Sequence, residues 1–451
     1  MTLGKMNASA QRILRRYTIC DWCLGRQFAM QGYGLTNKDR GVALKTLLLM
    51  TGTEVYQQKT KRGTTLIRRL AEKGQFEPAR AFLEKEGITD TPHSQDCEIC
   101  QGVTNRFHKA ARAVIKSLEQ WEAHSILIGT KISPNIIEAE EQLRSEFQIT
   151  TGEPIKAELN REIGKLVTTK LGLTTNFENP NIVALIQIPD FHVELDVHSL
   201  FIYGRYKKLI RGIPQTRWPC RECGGRGCQR CKDTGKMYPE SVEELIAPSV
   251  IELTQGSDVK FHGAGREDID ALMLGNGRPF VIEVLRPRIR SVNLDDLIIQ
   301  INESTKGKIV VGNIRFANKE VVKRLKGSAT SSKKVYKAIV HVETSIPQET
   351  LLALENLTMP LVIEQRTPQR VLHRRADRVR KKRVHTIGIV PLNAQNFELT
   401  ISCQGGLYVK EFISGDEGRT KPSLAELLGT PAVCQQLDVI DVEIVEDKLP
   451  W

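Results

Sequence analysis

Eight of the ten cysteines stand in four Cys-x-x-Cys pairs. Each pair offers two thiolates from one tight turn, and a tetrahedral zinc ion takes four. Cys20 and Cys23 lie in TICDWCLGRQF, and Cys97 and Cys100 in SQDCEICQG. Together they predict one shared zinc site that staples the N-terminal segment to the region around residue 100. The alternative is reduced structural cysteines, which rarely fall in duplicated spacing. In PCRECGGRGCQRCKDTG, Cys220, Cys223, Cys228 and Cys231 place four thiolates within twelve residues. Gly224, Gly225 and Gly227 permit the reversal such a knuckle needs. With all four positions closed by sulfur, the expected zinc is structural. Four thiolates also suit an iron–sulfur cluster, but nothing else in the chain suggests electron transfer.

The second chemistry is electrostatic. A formal charge of +12 and a pI near 9.2 favour a polyanionic partner, because fixed positive charge releases counterions from phosphate backbones. Residues 204–218, GRYKKLIRGIPQTRW, interleave cations with Tyr206 and Trp218 next to Tyr203, the mixture expected where phosphates are gripped and bases stacked. A solvated loop is the alternative. Residues 365–385 hold Arg366, Arg370, Arg374, Arg375, Arg378, Arg380, Lys381, Lys382 and Arg383 against Asp377 alone. Nine minus one is +8, and the segment is expected to contact nucleic acid. Val371, Leu372, Val379 and Val384 suggest that it is partly folded.

These groups need elements to carry them. At 451 residues the chain exceeds what one core supports, so two or three domains are expected. It has no apolar run of eighteen residues and no charged-then-apolar leader, which predicts a soluble, cytoplasmic protein with no membrane partner. Ala111, Val114, Ile115 and Leu118 recur at helical spacing. Residues 160–170 read as a helix and residues 182–188 and 192–203 as strands, an α/β segment suited to holding RNA. A further helix is expected over residues 241–255. Next, Ile269, Ala271 and Met273 alternate with Asp270 and Leu272, followed by Gly275-Asn276-Gly277 and an extended run from Pro279 to Val284, which predicts a hairpin turning at the glycines. Those glycines are weak nucleotide signals, because no strand, phosphate loop and helix surround them in order. SSKKVYKAIVHVET reads as a strand, and FELTISCQGGLYVKEFISGDEGRTKPSLAELLG as strand, turn and helix.

The blocks GREDID with LGNGRPF, KKVYKAI, QRTPQRVLHRRADRVRKKRV and GLYVKEFISGDEGRTKPSLAELLG, in that order, resemble those of the archaeal and eukaryotic tRNA pseudouridine synthase family that acts on the T-arm. That resemblance spans residues 204–451. The N-terminal cysteine pairs and NREIGKLV…FENPNIV resemble the family's accessory region, which contains a THUMP-like RNA-binding fold. The resemblance implies that Asp268 is the catalytic carboxylate, with Asp270 as reserve on the same strand face. It implies that Tyr336 packs against the target base and that Lys410 faces the carboxylate, where relatives often have Arg. Val409 would line the pocket and Leu437 would close it.

The expected architecture is therefore α+β, with a zinc-bearing THUMP-like α/β accessory region over residues 1–203 and a catalytic domain over residues 204–451. The latter would be built on a mixed, mainly antiparallel sheet with a zinc-knuckle insert at residues 219–235 and a cleft across the sheet or between the domains. The implied activity is isomerisation of uridine to pseudouridine in tRNA, at T-loop positions 54 and/or 55, with no catalytic cofactor and no nucleotide cofactor. A non-catalytic RNA-binding protein is disfavoured by the intact GRED, and a methyltransferase or thiolation enzyme by the missing cofactor loops. Duplex DNA binding is disfavoured because no helix-turn-helix pattern is present.

Overall fold

The computed structural model describes residues 3–88, 96–328, 332–444 and 446–451, apart from the side chains of Leu3, Arg374 and Lys448. Two compact units divide the chain, Met1–His198 and Ser199–Trp451.

The first unit opens with helices α1 (Leu3–Arg16), α2 (Asp21–Arg26), α3 (Asn37–Gln57), α4 (Lys61–Glu72), α5 (Glu77–Lys85) and α6 (Phe107–Leu118). The chain continues through β1 (Ser125–Ile132), α7 (Pro134–Phe147), α8 (Ile155–Leu171), β2 (Thr174–Thr175), β3 (Ile182–Ile188) and β4 (Val193–Val197). Strand order is β2-β1-β3-β4, with β1 parallel to both neighbours and β3 antiparallel to β4. The period-two pattern of β3 buries Ile182, Ala184, Ile186 and Ile188 on one face. Arg26, at the end of α2, is fully buried and binds Glu140 of α7 at 2.7 Å and Glu158 of α8 at 2.6 Å.

The second unit is a sheet crossed by short helices. In chain order its elements are β5 (Leu200–Lys208), α9 (Val242–Thr254), β6 (Asp258–Gly263), β7 (Leu272–Leu285), α10 (Leu294–Ser304), β8 (Ile309–Ala317), α11 (Lys319–Ser328) and β9 (Lys333–Val342). Then follow α12 (Gln348–Glu355), β10 (Leu361–Arg366), β11 (Val379–Asn393), β12 (Asn396–Gln404), α13 (Val409–Ser414), β13 (Thr420–Lys421), α14 (Leu424–Leu428) and β14 (Ala432–Val442). Strand order is β13-β10-β11-β12-β9-β14-β7-β5-β8, with β6 added to β7. Every pairing is antiparallel except β14 with β7. The architecture is thus α+β with a mixed, mainly antiparallel sheet, as the sequence implies. One apolar cluster gathers Val340, Leu399, Phe412 and Leu424, and a second gathers Ile246, Ile282 and Leu297. Tyr336 packs against both, so it sits where the two halves of the sheet meet.

Three local expectations are corrected. The strand expected over residues 192–203 is two strands, β4 and β5, which belong to different units. The hairpin turn expected at Gly275-Asn276-Gly277 is absent, because β7 continues through these residues as a bulge, with Met273 paired to Lys208 and Arg278 to Tyr206 of β5. A Cβ on Gly275 (φ 55) would sit 1.9 Å from the Ile440 carbonyl oxygen, and one on Gly277 (φ 76) would sit 2.8 Å from that of Tyr206. The glycines therefore serve close strand approach, and the reversal between β6 and β7 falls to residues 264–271. Asp268 and Asp270 accordingly lie in that loop, not on a strand face.

The third correction concerns the β5 part of the basic segment, whose Tyr203, Tyr206 and Lys208 fall in the stretch expected to grip phosphates and stack bases. Tyr203, Tyr206 and Lys208 are fully buried because β5 lies between β7 and β8. Tyr203 donates to Glu446 and Tyr206 to Glu267, and Lys208 donates to three backbone carbonyls. Those side chains are satisfied core.

Gly275→Ala is expected to cost about 2–4 kcal/mol, the sum of a positive-φ penalty and a backbone clash, read as a lowered urea midpoint. An unchanged midpoint would contradict the close approach of β7 to β14.

Candidate active site and cysteine clusters

Both cysteine groups close up as their spacing predicts. In each, the four sulfurs lie within 4.8 Å of one another. Cys20 and Cys100 are 3.8 Å apart, Cys220 and Cys228 3.9 Å, and Cys223 and Cys231 3.9 Å. A disulfide needs about 2.05 Å. Zinc–sulfur bonds of about 2.3 Å in a tetrahedron put the sulfurs about 3.8 Å apart, so both groups could hold zinc. Amides of Gly227, Cys228 and Gly235 donate to the knuckle sulfurs at 3.2–3.3 Å, the first to Cys223 and the other two to Cys231. In the first group the buried Arg26 donates to Cys23 at 3.3 Å, which ties the cluster to the acidic partners of α7 and α8.

The second unit carries a cavity of about 610 Å³ across the middle of its sheet. Asp268, Asp270, Tyr336, Val409, Lys410 and Leu437, far apart in sequence, all line it. Tyr336 comes from the central strand β9, paired with Ile401 of β12 and Val439 of β14. Val409 and Lys410 open α13, whose start is held by Gln365. That buried amide donates to the Tyr408 carbonyl at 3.1 Å and accepts from the Tyr408 N–H at 2.8 Å. Leu437 comes from β14.

The loop carrying Asp268 is held at nearly every residue. Glu267, pointing inward, accepts from Tyr206 at 2.9 Å and from Arg278 Nε at 2.8 Å. Arg278 also donates to the Ala264 carbonyl, and Gln215 to that of Gly265. Lys208 donates to the carbonyls of Asp268 and Ile269, and Arg211 bridges the Asp270 carbonyl to the Asp438 carboxylate. With its backbone fixed and its neighbour buried, Asp268 turns its carboxylate into the cavity, where the side chain keeps 33% of its exposure.

Two cations face that carboxylate. Lys410 Nζ stands 3.5 Å from Asp268 Oδ2, and Arg370 Nη1 stands 3.4 Å from Oδ1. Lys410 makes its shorter contacts, 2.7 and 3.0 Å, to Asp270. Burial would raise the Asp270 carboxyl, but the Lys410 hydrogen bond and charge hold it below its usual value. Arg370 is oriented by the buried Glu411. Burial works against its charge, but the Glu411 hydrogen bond and the Asp268 carboxylate keep it firmly protonated. Burial pushes the Tyr336 phenol upward, and the charge of Asp268 adds to that.

Arg370, expected only as an RNA contact, thus faces the cavity, and Arg375 lines it too. The other expected cations are dispersed. Arg366 pairs with Asp377 and Lys381 with Glu364, while Arg380 donates to Thr367 and Lys382 to the Gly405 carbonyl. Arg378 and Arg383 are exposed, and the side chain of Arg374 lies outside the described residues. Glu267, Arg278, Lys208, Arg211, Gln215 and Lys334 escape a reading of the sequence. The usable signal was charge set inside otherwise apolar strands, as at Arg278 in GRPFVIEV.

The family description "Pus10 THUMP domain, archaeal" matches residues 110–187, and "Pus10, C-terminal" matches residues 201–443. The second unit is therefore a pseudouridine synthase domain, and the chain is an isomerase by class. The tRNA pseudouridine synthase Pus10 of Methanothrix thermoacetophila is 44% identical over 437 residues, covering 96% of this chain and 94% of that protein. Its counterpart from Methanopyrus kandleri is 41% identical over 435 residues, with 95% and 96% covered. That of Methanocaldococcus jannaschii is 40% identical over 438 residues, with 95% and 93% covered. The chain belongs to the Pus10 family of tRNA pseudouridine synthases.

Lys334 also lines the cavity and is nearly buried, and Arg278, Glu267, Cys403 and Lys382 are the charged or titratable groups around it. Burial, aided by Arg278, draws its ammonium down from 10.5 to about 7. The unfolded chain then binds more protons than the folded one between these values, so the cost of burying Lys334 is full below pH 7 and fades as pH rises towards 10.5. Lys334→Met should therefore stabilise the protein more at pH 7 than at pH 10, measured by urea midpoints. An equal effect at both pH values would refute it.

Proposed function

We propose that this chain converts uridine to pseudouridine in the T-arm loop of tRNA, at positions 54, 55 or both, with Asp268 as the catalytic carboxylate. The observation that carries the reading is the Asp268 carboxylate, facing the cavity between Lys410 and Arg370 on a loop that Glu267 anchors. The reaction breaks the N1–C1′ bond of the nucleoside, turns the uracil, and joins C5 to C1′. The C5 proton is lost and N1 gains one, so nothing is oxidised or reduced and no cofactor is needed. Asp268 must be ionised to act on the nucleoside, and its two carboxylate oxygens stand 3.4 Å from Arg370 Nη1 and 3.5 Å from Lys410 Nζ.

A cavity of about 610 Å³ is of a size for one extruded nucleoside. Tyr336, Val409 and Leu437 give it apolar walls against which the free base packs while it turns. Exposed Arg378 and Arg383, together with Arg366, Arg375 and Lys381 at the surface, supply phosphate contacts that offset the cost of unstacking the target. The substrate is tRNA, met in the cytoplasm. Among the described residues no helix is long and apolar enough to cross a membrane.

Tritium release from tRNA labelled at uridine C5 tests the reaction. Wild type should release it, and Asp268→Asn should lower the rate by at least roughly 100-fold while binding the transcript normally. Release by the variant at the wild-type rate would refute the role of Asp268.

Each cysteine group is read as a structural zinc site, held by Cys20, Cys23, Cys97 and Cys100 in one unit and by Cys220, Cys223, Cys228 and Cys231 in the other. Zinc there supplies folding free energy and no chemistry. Elemental analysis should find two zinc ions per chain, and Cys97→Ser with Cys100→Ser should leave one and lower the melting temperature. Iron in place of zinc, or no metal, would overturn this assignment.

A further inference from the structure

Trp218 is the residue on which the cysteine knuckle and the cavity meet. It stands two positions before Cys220, and its carbonyl accepts from the Met237 N–H at 2.9 Å, across the neck of the knuckle. Pro219 bridges to Lys236, and Cys220 N–H donates to the Gly235 carbonyl at 2.8 Å, so four thiolates close the loop directly above this neck. Lys236 pairs with Glu244 of α9, which anchors the neck to the domain. Trp218 is only half-buried and belongs to none of the apolar clusters described above.

Its ring instead lines the cavity that holds Asp268. The guanidinium of Arg266, two residues before Asp268, lies 4.4 Å from the ring centroid, and Tyr238 abuts the ring edge-on at 5.6 Å. Arg266 lines the same cavity. An indole with a guanidinium laid over it is a flat, cationic surface, and such surfaces stack nucleobases without reading their identity. The uridine that enters the cavity is attached on both sides to further nucleotides, and at least one of them must lie along the cavity wall when the target is extruded.

We propose that Trp218 and Arg266 form a stacking subsite for a nucleobase flanking the target uridine, and that the four-cysteine knuckle exists to hold Trp218 in place. The inference rests on the reading of the cavity as the uridine site. It gives the knuckle, which touches no reacting atom, a part in substrate binding. Trp218 is a binding residue, and Cys220, Cys223, Cys228 and Cys231 are positioning residues acting through it.

The test uses binding, so that it is separable from catalysis. In full-length Asp268→Asn protein, the dissociation constant for a tRNA transcript is measured at fixed salt with and without Trp218→Ala. Loss of one stacked base should weaken binding roughly 10-fold or more, while Trp218→Phe stays close to the parent and melting temperatures are unchanged. A transcript with 2-aminopurine beside the target uridine should be quenched by the parent protein and less so by Trp218→Ala. Cys228→Ser with Cys231→Ser should weaken binding as Trp218→Ala does, and the combination should be no worse than either alone. Equal affinity and quenching in the Trp218→Ala protein would overturn the subsite, and additive losses would overturn the link to the knuckle. If wild type instead released no tritium from labelled tRNA, the assigned reaction would fail, while these binding results would still decide whether Trp218 holds RNA.

Discussion

The ion pair between Glu267 and Arg278 organises the second unit. Both side chains are withdrawn from water, Glu267 on the loop and Arg278 on β7, and each is completed by neutral partners, Tyr206 for the acid and the Ala264 carbonyl for the base. A buried pair of this kind adds little net stability, because desolvation offsets most of the attraction, yet removing one partner leaves a stranded charge at a cost of about 3–5 kcal/mol. It therefore acts as a specification. Of all conformations open to an eight-residue loop with four charged side chains, the one that persists places Glu267 inward and so turns Asp268, its neighbour, outward into the cavity.

What that arrangement accomplishes is preorganisation. Lys208, Arg211 and Gln215 bind carbonyls along the same loop, which fixes the backbone beneath the Asp268 carboxylate. Positive charge has been divided between two tasks by burial. Lys208 and Arg278 are enclosed and structural, whereas Lys410 and Arg370 reach the cavity with acidic partners, Asp270 and Glu411, that orient them. Lys410 is shared between two carboxylates, and Arg370 supplies Asp268 with a second cation from the basic segment. The first unit uses a parallel device, with Arg26 clamped between Glu140 and Glu158 while donating to a cysteine of its cluster.

Much of this was legible in residue types and spacing. Duplicated Cys-x-x-Cys pairs imply tetrathiolate clusters because two tight turns are geometrically sufficient for four ligands, and period-two burial marks strands such as β3 and β9. Family blocks pointed to Asp268, Tyr336, Val409, Lys410 and Leu437, and the structure brings all five to one cavity. Local pattern misled where a glycine can serve two ends. Gly275-Asn276-Gly277 has turn chemistry, but a turn signal and a close-approach signal are the same residues, and only the presence of Ile440 and Tyr206 against the backbone distinguishes them. Likewise Tyr203, Tyr206 and Lys208 read as part of an RNA surface until β5 proves to be flanked on both sides.

Residue spacing and composition were enough for the four-cysteine groups, the α+β class, the basic character and, through the motifs, the family. These depend on spacing and composition, which are one-dimensional. Tertiary structure alone decided which charges face water, which face one another, and which face the cavity. Arg370 and Lys208 are both cations in basic stretches, and nothing local separates them. Their environments are set by strands and loops distant in sequence, since the energy of a charge depends on what surrounds it in space.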